Sequence, residues 1–201
     1  MQTEINSVIT LYSNGQIQEA LDSVEILVKD YPNEALLYNV SGACYAGLGQ
    51  LDTAVKRYEQ AIEIKPDYAE AHNNLGNALK ELDQLDTALK SYEKALGIKP
   101  DFAEAHYNLG ITHQGLSQLD DAIKHYEQAL EIKPDYTEAF NNLGSALKEL
   151  GQPDTAVKSY QKILAIKPDF AEAHYNLAVT LQELNQLDDA VKHYEQALEM
   201  K

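Results

Sequence analysis

Apolar residues along this chain recur at spacings of three and four, and the rhythm is interrupted by short polar stretches. Between residues 69 and 98, His72, Leu75, Gly76 and Leu79 mark one helical face. Asp83-Gln84-Leu85-Asp86 breaks the pattern, and Ala88, Tyr92, Ala95 and Leu96 resume it on a second helix. Asp67 precedes Tyr68-Ala69-Glu70, an acid with a glutamate three residues on, which predicts a capping box at the first helix. Lys99 complements the dipole at the end of the second helix, and Pro100 stops it.

The helix pair repeats. Prolines at 32, 66, 100, 134 and 168 are spaced 34 apart, and four lie in the phrase Ile-Lys-Pro-Asp. With that proline at position 32, the units are 1–34, 35–68, 69–102, 103–136, 137–170 and 171–201. Small residues recur at position 8 (Gly76, Gly110, Gly144, Ala178) and position 20 (Ala54, Ala88, Ala122, Ala156, Ala190), so the paired helices can approach closely. Tyr58, Tyr92, Tyr126, Tyr160 and Tyr194 at position 24 fill the space beside them. A single hairpin cannot bury its own apolar face, so neighbours must stack. Units 69–102 and 137–170 resemble each other more than their neighbours, as do 103–136 and 171–201, which predicts an alternating surface.

Over residues 35–201 these offsets resemble the tetratricopeptide repeat (TPR) family. Residues 1–34 match less well, with Val8 and Val24 off pattern but Gly15, Ala20, Leu27 and Pro32 on it; they read as a degenerate first repeat and N-terminal cap. The resemblance implies an all-α, right-handed α-solenoid of about six helix-turn-helix hairpins. It also implies a concave groove lined by the first helices, with positions 2, 5, 6, 9, 12 and 13 facing it.

Those positions give the candidate site. Position 6 is Asn74, Asn108, Asn142 and Asn176 in four consecutive units, departing at Val40. An amide both donates and accepts, so a row of them can hold an extended backbone with little regard to its sequence. The row resembles the asparagine ladder in the TPR groove of O-linked N-acetylglucosamine transferase. A bond to the neighbouring repeat's backbone, or a generic family preference, is the competing reading. Asn73, Asn141, Asn77 and Ile111 line the same face, with Tyr107 and Tyr175 as aromatic anchors and Lys80 and Lys148 as its cations. Position 2 is Glu70, Glu104, Glu138 and Glu172, which argues against a clamp for a C-terminal carboxylate.

Charge narrows the partners. Sixteen Lys and Arg against 32 Asp and Glu give a net charge of -16. A nucleic-acid binder needs clustered cations, so the expected partner is a protein or peptide segment, basic or neutral. No apolar run is long enough for a membrane span, and the N-terminus lacks a signal-peptide pattern. One cysteine, Cys44, fits a reducing, cytoplasmic setting. His72, His106 and His174 occupy packing position 4, and His125 and His193 read as surface residues; their recurrence points to repeat inheritance rather than metal. Asp120-Asp121 and Asp188-Asp189 fall at helix starts. Neither a phosphate loop, a nucleophile elbow nor H-E-x-x-H occurs, so no enzyme activity and no cofactor are expected. The groove predicts a peptide-binding scaffold; the last unit stops inside its second helix, which adds two alternatives, the substrate-recruiting or targeting region of a longer transferase of bacterial type, or self-assembly through an uncapped C-terminal end.

Overall fold

A computed structural model describes residues 2–200. It divides into two compact units, Met1–Asp101 and Phe102–Lys201, each carrying three helical hairpins. In the first, α1 (Gln2–Ser13) pairs with α2 (Ile17–Asp30), α3 (Ala35–Gly47) with α4 (Leu51–Ile64), and α5 (Ala69–Glu81) with α6 (Leu85–Ile98). In the second, α7 (Ala103–Gly115) pairs with α8 (Leu119–Ile132), α9 (Thr137–Glu149) with α10 (Pro153–Ile166), and α11 (Ala171–Glu183) with α12 (Leu187–Glu199). Within each unit the second helix of a hairpin also packs on the first helix of the next. No strand occurs among the described residues.

The glycine at position 8 and the tyrosine at position 24 form one packing device. A Cβ on Gly110 would stand 2.5 Å from Cε1 of Tyr126, and one on Gly76 equally close to Tyr92. The ring therefore lies where a side chain would have been, fully buried with Ala122 and Ala129. Burying such a ring stabilises by roughly 1.5–3 kcal/mol.

Turns repeat as regularly as helices do. Position 15 takes a left-handed backbone in all six hairpins: Gly15, Gly49, Asp83, Ser117, Gly151 and Asn185, with φ between 59° and 78°. The following residue then closes the helix end, as when the Gln118 N–H donates to the His113 carbonyl at 2.9 Å. Second helices end at Ile64, Ile98, Ile132 and Ile166, before the lysine that precedes proline. That lysine is extended (φ −128° to −135°), because the proline ring excludes the helical region for its predecessor.

The capping box is not formed. Tyr68 is the cap residue of α5, and no side-chain oxygen caps that helix. The turn carries Asp67 one residue too far out. Instead the Tyr68 carbonyl accepts from the N–H groups of Ala71 and His72, and His72 Nε2 lies 3.0 Å from the Pro66 carbonyl.

Candidate functional site

Within each unit, first helices of neighbouring repeats lie side by side, α1 with α3, α3 with α5 and α7 with α9. Their shared face carries most of the residues singled out above. Position 6 bonds position 5 of the preceding repeat: Asn74 Nδ2 donates to Asn39 Oδ1 at 3.1 Å, Asn142 to Tyr107 Oη at 3.2 Å and Asn176 to Asn141 Oδ1 at 2.8 Å. Asn141 in turn donates to Glu172 at 2.9 Å. Asn74, Asn142 and Asn176 thus each spend one donor on the preceding repeat. Asn74, Asn108, Asn142 and Asn176 are all half-buried, and Asn73 is buried.

The outer positions are tied in the same way. Tyr126 donates to Gln114 Oε1 at 2.9 Å, and Gln114 Nε2 donates to Glu149 at 2.7 Å. Lys148 pairs with Glu183 at 3.0 Å, and Tyr92 donates to Asn77 at 2.8 Å. Ile111 and Tyr107 are half-buried, whereas Tyr175 is 55% exposed. Most of these cross-repeat links span 35 residues, one repeat plus one, so a search for polar pairs at that spacing would have found them.

The face is acidic. Glu104, Glu138, Glu149, Glu172 and Glu183 are exposed in the second unit, with Lys148 already paired. Burial first, then the carboxylates of Glu183, Glu149 and Glu172, push the Tyr160 phenol up to about 12. Burial similarly raises Tyr107, reinforced by Glu138, and lowers Lys80.

Two histidines read as surface residues are instead half-buried partners. His125 Nδ1 lies 3.2 Å from His106 Nδ1, and His193 Nδ1 lies 2.9 Å from His174 Nδ1. Position 23 of the second helix comes to rest on position 4 of the first, a contact across the hairpin that no helical period of either strand of sequence reveals. Burial, then the facing His106 and His113, lower His125 to about 4. Among the described residues no group of three or more His, Cys, Asp or Glu converges on a metal position, and no helix is long and apolar enough to cross a membrane.

An array of antiparallel hairpins with this face is the architecture of helical-repeat proteins. A model described as "TPR repeat" matches residues 42–83 and 76–117, and one described as "Tetratricopeptide repeat" matches 101–169 and 135–201. The chain belongs to the tetratricopeptide repeat family. No curated protein matches it. Among solved structures, MamA is 26% identical with a TM-score of 0.74, covering 79% of this chain and 93% of its own. YrrB, described as a TPR protein with an unusual peptide-binding site, is 23% identical with a TM-score of 0.72, covering 89% and 92%. The pilF protein of Pseudomonas aeruginosa shares 15% identity with a TM-score of 0.86, covering 96% and 87%, which places the fold among helical solenoids of about six hairpins.

Proposed function

We propose that this chain is a protein-interaction scaffold that holds a peptide segment of its partner along the first-helix face. The observation that carries the reading is that Asn74 in the first unit, and Asn142 and Asn176 in the second, are each tied to the preceding repeat. A side chain already fixed by a neighbour loses little entropy on binding, so its remaining donor and acceptor are pre-organised. Asn74 and Asn176 each keep an amide oxygen and one N–H after the inter-repeat bond, and Asn142 keeps its amide oxygen. Asn108, Asn73, Asn77 and Ile111 extend the face, Tyr107 and Tyr175 offer aromatic area, and Asn141, Lys80 and Lys148 border it. The acid excess favours a basic or neutral segment. Family membership and the peptide-binding site described for YrrB support the same reading. A micromolar affinity, about −8 kcal/mol, is ordinary for such a face.

The test is a lysate pull-down with wild type beside a variant in which Asn74, Asn108, Asn142 and Asn176 are all alanine, both shown folded by circular dichroism. Partners lost only by the variant support the reading. The same partners on both place binding elsewhere.

One observation favours self-association as a second reading. Leu187, Val191 and Leu198 on α12 are more than half exposed, and Leu198 joins Tyr175, Tyr194 and Ala197 in lining an apolar cavity of about 510 Å³. Light scattering across a concentration series decides it: a monomer at every concentration removes this reading.

A further inference from the structure

Five repeats share the tyrosine at position 24, buried in four of them and half-buried at Tyr194, and what stands over its hydroxyl differs between them. Over Tyr126 and Tyr194 it is a glutamine at position 12, Gln114 and Gln182, each accepting from the hydroxyl at 2.8–2.9 Å. Over Tyr92 it is Asn77 at position 9. In repeat 137–170 those positions are Ser145 and Lys148. In repeat 35–68 both places are alanine, Ala43 and Ala46, and Tyr58 makes no such bond. The missing side chains leave a cavity of about 290 Å³ within the first unit. Tyr58 lines it together with Ala43 and Ala46, and Tyr12, Asn74 and Glu81 surround it.

The lining specifies the occupant. Tyr12 presents an aromatic ring that is 38% exposed, and the alanine methyls suit an aliphatic stem. Glu81 stands exposed beside them and contributes, after burial and the Tyr12 and Cys44 groups, to raising the Tyr58 phenol. An aromatic ring next to a carboxylate is a cation site, and Glu81 repels an acidic side chain. The volume, about 290 Å³, falls just below the range of ~300–1,000 Å³ for whole small-molecule ligands and suits one side chain.

We propose that this cavity is an anchor pocket for one basic side chain, lysine or arginine, of the bound segment, and so fixes the segment's register on an otherwise sequence-tolerant asparagine row. The inference rests on the peptide-binding reading above.

A random 12-residue peptide library panned on the full chain tests it, beside Ala46→Gln, which refills the cavity with the side chain used at 114 and 182. Both proteins are first shown to have the same thermal midpoint within a few degrees. Wild type is expected to enrich peptides with one invariant Lys or Arg. By fluorescence polarisation, replacing that residue with norleucine weakens binding to wild type about tenfold. The same exchange is expected to change binding to Ala46→Gln less than about twofold, and Glu81→Gln is expected to lie between. Peptides enriched equally by both proteins without a fixed basic position overturn the pocket and leave the peptide-binding face intact. Failure of both proteins to enrich any peptide overturns the pocket and the peptide-binding reading together.

Discussion

Replacing Gly110 by alanine is the sharpest probe of how these hairpins close. The new Cβ would stand 2.5 Å from Cε1 and 2.6 Å from Cδ1 of Tyr126, well inside contact distance. Tyr126 is fully buried, so its ring has no free direction in which to retreat. Overpacking of this kind costs about 1–3 kcal/mol, while alanine gains about 1 kcal/mol over glycine in helix propensity. The expected net loss is about 1 kcal/mol, or a fall of roughly 2–4 °C in thermal midpoint for a chain of this size. The last repeat carries Ala178 at the equivalent place, and there Tyr194 is only half-buried. Gly97→Ala is the matched control: nothing lies within 4 Å of its Cβ, so only the propensity gain applies and the midpoint rises. Differential scanning calorimetry of the three proteins reads both signs. A Gly110→Ala protein as stable as wild type would refute the account of close approach.

Three further outcomes follow from the same geometry. His125 is held to about 4 by burial and its histidine neighbours, below its ordinary value of 6.5, so the unfolded chain binds the extra proton between those limits. Stability should be full above pH 6.5 and fall toward pH 4, by about 1–2 kcal/mol after allowing for half-exposure; His125→Gln should flatten a plot of thermal midpoint against pH. Glu25 accepts from Ser41 at 2.7 Å and from Arg57 at 2.5 Å, joining α2 to α3 and α4. Glu25→Ala leaves both donors without it and should lower the denaturation free energy by about 1–3 kcal/mol, more than Ser41→Ala alone. Ser117 holds a left-handed backbone at φ 59°, where glycine serves in three other hairpins. Ser117→Gly should therefore raise the thermal midpoint slightly, by the equivalent of about 0.5–1 kcal/mol, whereas Ser117→Val should lower it.

The helices were legible in the sequence because their cause is local. A 34-residue period, a proline after each second helix and a small residue opposite each tyrosine suffice to define the hairpins. Site residues were legible as types and positions, since a first-helix face follows from the same period. Their bonding was not, because a partner 35 residues away belongs to the next repeat and leaves no trace in helical periodicity. Asn74 read alone suggests an open peptide grip; beside Asn39 it is also a tie between repeats. Ala43 and Ala46 carry no signal in the sequence for a related reason: a pocket is made by side chains that are absent, visible only when repeats are overlaid in space. The pairing of His125 with His106 depends on rotation of one helix against another, which spacing within either helix does not fix.

The central claim, that a peptide segment lies along the first helices, is tested most directly by site-specific photo-crosslinking. Benzoylphenylalanine is placed at Tyr175 on the first-helix face, or at the exposed Lys158 on a second helix, and irradiated with a fluorescent peptide enriched on the wild-type chain. The account predicts a crosslinked product from position 175 and none above background from position 158. Crosslinking confined to position 158 would contradict it.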